Sequence, residues 1–438
     1  MSVFDHPLHR LPKYGDGIGL HRVQFLMEVC GIDGDDVARR SVAVTGSNGK
    51  GSTARIASEL LSAAGGTVGL FTSPHLYRYN ERFRVDGEPV DDAKLLDAMD
   101  RVGRAVEDYQ THHDDCIGAF EAQFVIALLV LARCRWLVLE AGIGGRYDPV
   151  RLARAPVSAL VSLDLEHIEL LGKTLVEIAF DKLDATARGG KAILGQSCIP
   201  FTEQIRTYAD LVGIGVEFVQ PDDWRNGGVS DGLQHFDIGA IRDLRSPLVG
   251  RHQINNHAVA LALVEEKLKH AAGQWPIAGI EDRFRDAVAR VSWPGRLETI
   301  SREPFVVIDV GHTPEGIKAA LDGFRALTNN RDAILVTGGS KNKHVREMLE
   351  MLTPGFGRIV CSAAHHNGLP AIEVAAMVES IHPQAAVTVS RSIEDAVIHA
   401  RNEAMRTDAA IYVAGGLFLA IEFAETWRGG DPARLRFF

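Results

Sequence analysis

The stretch Val42-Ala-Val-Thr-Gly-Ser-Asn-Gly-Lys-Gly-Ser-Thr53 decides the fold of this chain. A β-branched run from Ser41 to Thr45 breaks into glycines at Gly46, Gly49 and Gly51, and an apolar helical pattern follows through Ala54, Ile56, Ala57, Leu60 and Leu61. Strand, glycine loop and helix in that order make a phosphate cradle. Glycines let backbone N–H groups turn toward an anion, the helix N-terminus adds partial positive charge, and Lys50 reaches the outer phosphates. The strict phosphate-loop pattern has Ser or Thr directly after Gly-Lys, whereas here Gly51 intervenes before Ser52. A glycine-rich turn carrying a surface lysine therefore stays open as the rival reading.

Outward from that loop, apolar strands alternate with helices. Helical periodicity covers Ile18 to Cys30 on the N-terminal side, then Ala93 to Tyr109, Phe120 to Cys134 and Lys173 to Ala187. Strand patterns fall at Thr67 to Phe71, Trp136 to Glu140, Val157 to Leu163 and Lys191 to Leu194. The alternation predicts an α/β fold, a large phosphate-loop ATPase domain built on a doubly wound, mostly parallel sheet. Residues 219 to 250 lose the rhythm and read as a loop or an irregular β insertion. Helices follow at His257 to Ala271 and Ile280 to Val291, and Ser292-Trp-Pro-Gly-Arg296 then punctuates the chain. The predicted boundary lies there, with an ATP-binding domain over 1–296 and a smaller Rossmann-like α/β domain over 297–438. That second set runs from a strand at Phe305 to Asp309 and a helix at Pro314, through strands near Ile334, Ile359 and Val387, to Ala410 to Val413.

Composition narrows the function. The 438 residues are 46% hydrophobic and 24% charged, enough for a large core, and the formal net charge of -10 argues against holding nucleic acid by its phosphates. Five cysteines, with no C-x-x-C pair, suggest neither a disulfide frame nor a zinc site. The longest apolar run, Phe124 to Ala132, is too short to span a bilayer, and no signal peptide is visible, so a cytoplasmic monomer acting on small molecules is expected.

Chemistry-bearing groups end separate elements on the C-terminal edge of the first sheet: Ser73, Glu140, His167 and Lys182. Ligands of open α/β sheets bind at that edge. Glu140 leaves a hydrophobic strand, where an unpartnered carboxylate costs several kcal/mol, and Mg²⁺ on nucleotide phosphates would satisfy it. Helix capping or a pair with Arg146 would satisfy it too. His167 alone reads equally as a loop histidine and Lys182 as a solvated lysine on an amphipathic helix.

Taken together, certain segments form an ordered set. They are the phosphate loop, Thr72-Ser-Pro-His-Leu76 with Asn80-Glu-Arg82, Glu140-Ala-Gly-Ile-Gly-Gly-Arg146 and the His167 loop. Gly250-Arg-His-Gln-Ile-Asn-Asn256, Trp293-Pro-Gly-Arg296 and Asp309-Val-Gly-His312 complete it. This set resembles the folylpolyglutamate synthase and dihydrofolate synthase family of the wider Mur ligase group, over about residues 14 to 425. The resemblance implies that Gly49, Lys50, Gly51 and Ser52 hold the ATP phosphates. It implies that Ser73 and Glu140 ligate a first Mg²⁺, and that His167 ligates a second with a carbamylated Lys182. A carbamate offers oxygen and negative charge where an ammonium would repel the metal. Asn256, Arg296 and Asp309 match nucleotide contacts, and His312 a catalytic loop in the C-terminal part. For Asp309 and His312 a local capping role before Pro314 stays open.

Several segments depart from the family pattern. Tyr147-Asp-Pro-Val-Arg151 stands where Leu-Asp-Ala-Thr-Asn is usual, and Lys182-Leu-Asp-Ala185 where Lys-Ala-Gly-Ile is usual. Asp309-Val-Gly-His-Thr-Pro314 replaces Asp-x-Ala-His-Asn-Pro, and Gly339-Ser-Lys-Asn-Lys343 replaces Leu-x-Asp-Lys-Asp. Asp184 also competes with Lys182 as a source of negative charge. The resulting expectation is an ATP- and Mg²⁺-dependent amide ligase of catalytic residues Lys50, Lys182 and His312. It makes an acyl phosphate on a carboxylate, folate foremost, and passes the acyl group to the amine of L-glutamate. Arg82, Arg146, Tyr77 and Tyr79 are candidates to hold an acidic, pterin-like substrate, and weak use of dihydropteroate is expected from the altered 147–151 segment. A ligase of the same group joining another acid and amino acid is the alternative reading, and a phosphate-loop kinase or NTPase the second.

Overall fold

The computed structural model describes residues 3–272, 279–341 and 345–437. The first sheet has eight strands: β1 Ser41–Thr45, β2 Val68–Phe71, β3 Phe83–Val85, β4 Glu88–Pro89, β5 Trp136–Glu140, β6 Val157–Leu160, β7 Lys191–Leu194 and β8 Gly215–Phe218. Their spatial order is β4-β3-β2-β5-β1-β6-β7-β8. From β2 to β8 all neighbours are parallel, and β3 and β4 close one edge as an antiparallel pair. β1, β2, β5 and β6 are buried at every position, which is why they read as unbroken apolar runs. The chain leaves β1 toward β2 and β5 on one side and comes back to β6 on the other. The loop after β1 therefore sits at the topological switch point.

Two hydrophobic layers cover this sheet. One is formed with the helices His21–Val29, Asp92–His112 and Ala119–Val130. The other is formed with the helices Lys50–Ala64, Arg251–Ala272 and Ile280–Arg290. The expectation of a loop or irregular insertion over 219–250 is only half met. That region is a three-stranded antiparallel sheet, β9 Trp224–Ser230, β10 Leu233–Ile238 and β11 Ile241–Ser246, in the order β11-β10-β9. Its alternation was hidden by polar residues on the covered face: β10 buries Gln234 along with Phe236 and Ile238, and the Gln234 amide bonds Asn226 and Gly228. The helix predicted over Lys173 to Ala187 is shorter, Leu175–Leu183, entered by a Thr174 cap bonded to the Glu177 N–H.

The last sheet holds β12 Glu298–Arg302, β13 Phe305–Ile308, β14 Ala333–Thr337, β15 Arg358–Cys361, β16 Ala386–Val389 and β17 Ala410–Val413. The order is β12-β13-β17-β14-β15-β16, parallel from β13 to β16 with β12 antiparallel at the edge. Helices pack on both faces in two separate cores, as in other doubly wound sheets. In the Gly339–Lys343 segment, Asn342 and Lys343 lie outside the described residues.

Candidate active site

The phosphate loop turns out of β1 into the helix Lys50–Ala64. Gly49 has φ +81°, and a Cβ there would stand 2.7 Å from Oδ1 of Asn256, so the loop and the Arg251–Ala272 helix meet backbone to side chain. Gly51, the residue that breaks the strict pattern, lies under the indole of Trp293, 3.1 Å from where a Cβ would be. A Cβ at 51 would press on this indole, which would have to give by a few tenths of an ångström, and Ser52 takes the buried position that follows. Lys50 folds back over the loop, Nζ donating to the carbonyls of Gly46 at 2.7 Å and Ser47 at 3.3 Å. A ligand phosphate offers that ammonium a stronger, charge-assisted partner.

Glu140 ends β5 and is 3% exposed. Its Oε2 accepts the N–H of Ser73 at 3.0 Å. Burial raises its pKa to about 7, opposed by the Lys50 ammonium, the Ser73 N–H, and the charges of Arg296 and Arg82. It caps no helix and does not pair with Arg146, whose Nε binds Asp184 at 2.6 Å. Beside it Arg82 is fully buried, donating to Nδ1 of His75 at 2.9 Å and to Gln123 at 3.3 Å. Tyr79 is also buried, and Tyr77 receives a bond from Arg428. Tyr79 and Arg82 thus brace the Thr72–Arg82 loop from inside, and Arg146 is tied to Asp184 and to the Tyr208 hydroxyl.

Lys182 is 1% exposed, and its Nζ meets Oε1 of Glu166 at 2.7 Å. Burial lowers its pKa, and the Lys50 charge lowers it further, against the pull of Glu166 and Asp181. Glu166 is pulled down by Lys50 and Lys182 against the cost of burial. His167 follows in the left-handed conformation, φ 46°, as the exposed residue heading Ile168–Leu171. The structure therefore brings Lys182 to Glu166 directly, with His167 next in the chain. Asp184 is committed to Arg146 and Tyr208, which removes it as the competitor for that position.

Asn256 is buried against the loop and donates to Gln253 at 3.0 Å. Asp309 leaves β13 and accepts the N–H groups of Gly311 at 2.7 Å and Leu297 at 3.0 Å. Burial raises its pKa while the Arg296 guanidinium draws it down. Asp309 therefore does not cap the helix at Pro314; it makes local bonds in the turn before it, near the charge of Arg296. His312 is exposed, its Nδ1 3.4 Å from the Val310 carbonyl. Thr313 caps Pro314–Thr328 and donates from Oγ1 to Oδ1 of Asn48 at 3.0 Å, joining the phosphate loop to the last sheet's first helix.

Sequence reasoning passed over several groups here. Glu166 lies 16 residues before Lys182, and no local pattern pairs the two. Asp148 is 4% exposed, raised to about 6 by burial, and accepts the N–H groups of Gly142, Ile143 and Val150. Its signal was the Asp-Pro step, a cap for the turn Pro149–Ala153. Asp164 is raised to about 6 by burial and by Glu315 opposite, and it accepts from Asn48. No local pattern could have placed Glu315 there.

Residues 295–417 match the Mur ligase, glutamate ligase domain family. The chain is 31% identical over 437 residues to the folylpolyglutamate synthase of Lacticaseibacillus casei, covering 98% of both chains. The chain belongs to the folylpolyglutamate synthase family. It is also 27% identical to the dihydrofolate synthase/folylpolyglutamate synthase of Bacillus subtilis, over 79% of this chain and 81% of that one. Among solved structures, the Mycobacterium tuberculosis folylpolyglutamate synthase complexed with ADP and AMPPCP superposes with TM-score 0.85 at 25% identity, covering 98% of each chain. The Escherichia coli FolC in complex with DHPP and ADP gives 0.79 at 26% identity, over 96% of each. The α/β architecture with its two large parallel sheets is that of the folylpolyglutamate synthases.

Proposed function

We propose that this protein joins L-glutamate to a folate at the expense of ATP, releasing ADP and phosphate. The observation that carries the reading is the convergence of Lys50, buried Glu140 and the Lys182–Glu166 pair at the switch point of a phosphate-loop sheet in a chain of this family. We assign ATP phosphates to Gly49, Lys50, Gly51 and Ser52, and further nucleotide contacts to Asn256, Arg296 and Asp309. Residues 1–296 carry this ATP site in our reading, and 297–438 form the ligase domain that closes over it.

Mg²⁺ fits the groups present. Glu140 is a buried oxygen donor that burial holds at a raised pKa, and Ser73 lies against it. An ion held there would be completed by phosphate oxygens and water. We assign Ser73 and Glu140 to a first ion, and His167 with Lys182 to a second. Bound there, the ions would neutralise charge on the phosphates. A carbamate on Lys182 is consistent with its lowered pKa, since only the neutral amine reacts with carbon dioxide.

In this reading the folate carboxylate attacks the γ-phosphorus of ATP, giving an acyl phosphate and ADP. Lys50 and the N–H groups at the start of its helix neutralise the charge that builds on the transferred phosphoryl oxygens. The glutamate amine then attacks the acyl carbon, and phosphate leaves. We assign to His312, on the strand-to-helix turn beside Thr313, the steering of the incoming groups once the two parts close. No helix among the described residues is long and apolar enough to cross a membrane. We place the reaction in the cytoplasm, by a monomer.

The test is product formation from ATP, a reduced folate and labelled L-glutamate, with dihydropteroate and other carboxylic acids in parallel. Glutamylated folate with stoichiometric ADP is expected. ADP release only with a non-folate acid would overturn the substrate assignment. In the 147–151 segment, whose altered sequence led to the expectation of poor dihydropteroate use, Arg151 is exposed and donates to the Arg146 carbonyl at 2.8 Å. It is the buried Asp148 of that segment that lies next to the Gly142–Ile143 loop.

A further inference from the structure

The altered segment 147–151 leads away from the phosphate loop to a separate cleft of about 690 Å³, a volume ample for a small-molecule ligand. Arg151, Arg154 and Arg188 stand on its rim, all exposed, in a chain whose net charge is -10. Asp35 and Asp184 are the acidic groups of the lining. Asp35 is spent on Arg154, and Asp184 on Arg146 and Tyr208. Arg151 has only a carbonyl partner. The lining also includes the aliphatic side chains of Ala38, Ala187, Val212 and Ile214, with Thr186 and Tyr208.

We propose that this cleft binds the oligo-γ-glutamyl tail of a folate, apart from the site of ligation. The inference rests on the function proposed above, because such tails are that reaction's product. The chemistry matches in two respects. A γ-linked glutamyl chain carries one α-carboxylate per residue with two methylenes between, and the cleft offers guanidinium groups together with aliphatic surface. Guanidinium forks suit carboxylates. Three guanidinium groups around one cleft suit a ligand that carries several carboxylates over one that carries a single phosphate.

The floor of the cleft is linked to the centre of chemistry. Asp184 stands two residues from Lys182, and its partner Arg146 ends the glycine loop after β5. Asp181, one residue before Lys182, holds the N–H of Gly145 at 2.8 Å in the same loop. A tail seated on Arg151 and Arg188 thus touches a side-chain frame shared with Lys182, so the accumulated product would report on the site that makes it.

The experiment is calorimetric titration of the full chain with penta-γ-glutamate lacking a pterin, alongside inorganic phosphate and ATP. The variants are Arg151→Glu/Arg188→Glu and the charge-keeping Arg151→Lys/Arg188→Lys. Saturable binding of the peptide is expected, weakened at least about tenfold by the double Glu variant and largely kept by the double Lys variant. The KM for ATP and the kcat for ligation onto a folate with one glutamate should be unchanged in both. Absence of peptide binding to the parent chain, equal binding to the Glu variant, or displacement of the peptide by phosphate alone overturns the proposal. If the parent ligates glutamate but does not bind the peptide, this inference fails and the function stands. If it ligates nothing, the function itself fails.

Discussion

Replacing Glu140 by Gln should stabilise the nucleotide-free protein and destroy its activity at the same time. The carboxyl is 3% exposed and its pKa is raised from 4.5 to about 7 by burial, even though Lys50, the Ser73 N–H, Arg296 and Arg82 all pull it down. A group whose folded pKa lies above its unfolded value stabilises the fold fully only below the unfolded pKa. That stability drains away as pH rises, and above about pH 7 the folded state carries a charged carboxylate at a cost of about 3 kcal/mol. Gln keeps an oxygen for the Ser73 N–H and is neutral at every pH, so it escapes the penalty. Its amide NH₂ needs a partner in the same place, which offsets about 1 kcal/mol. The expected gain is therefore about 2 kcal/mol at pH 8, falling to zero near pH 5 and to a loss of about 1 kcal/mol at lower pH. The assay is urea denaturation in EDTA at pH 5 and pH 8, comparing midpoints at constant slope. Binding of Mg²⁺ and nucleotide should be lost in the variant, and adding both should stabilise only the parent. A gain of the same size at both pH values would refute the reasoning, as would a variant weaker than the parent at pH 8.

Lys50→Ala should lower ligation by roughly 10²–10³ in kcat with the fold intact, since the lysine bonds only loop carbonyls in the free protein; turnover unchanged at saturating ATP would remove the phosphate-loop assignment. Lys182→Ala should be inactive and partly restored by acetate supplying the missing negative oxygen; full activity without any additive would dismiss the carbamate. Lys267 is 0% exposed, bonded to the Arg39 carbonyl at 2.7 Å, and lowered to about 8 by burial. Its charge is unfavourable in the fold below pH 8, so Lys267→Met should gain about 2 kcal/mol at pH 7, with the advantage fading toward pH 10.5; a loss measured by denaturation at pH 7 would contradict this.

The parts legible in the sequence were those in which one local pattern does one physical job. The phosphate loop is a strand, a set of positive-φ turns and a helix start, all contiguous, so Val42–Thr53 announced both the sheet and its switch point. β5 was readable because a parallel strand buried on both faces must be apolar, and Glu140 stood out as the residue that broke the run. The sheet over β9 to β11 was readable only as a loop or an irregular β insertion. Gln234 occupies a core-facing position there and satisfies its amide within the same sheet, which a hydrophobic alternation cannot register.

What the sequence withheld at the site is long-range pairing. Lys182 looked like a surface lysine by periodicity, and only the fold shows its ammonium buried against Glu166. The same limit produced the doubt over Asp184, two residues on along the chain yet bonded to Arg146 and Tyr208. It also hid the junction of Asn48 with Thr313 and of Asp164 with Glu315, pairs separated by more than a hundred residues. These contacts have a common character: each joins a group on the phosphate-loop sheet to one brought in by another element, and each places a polar or charged side chain where isolation would be costly. A residue that looks misplaced in its own segment, a charge on a buried strand or a lysine on a covered helix, therefore marks where a distant element must arrive. In this chain Glu140 is the clearest case legible from the sequence and Lys182 one that only the fold reveals, and both lie in the site proposed for the nucleotide and its metal ions.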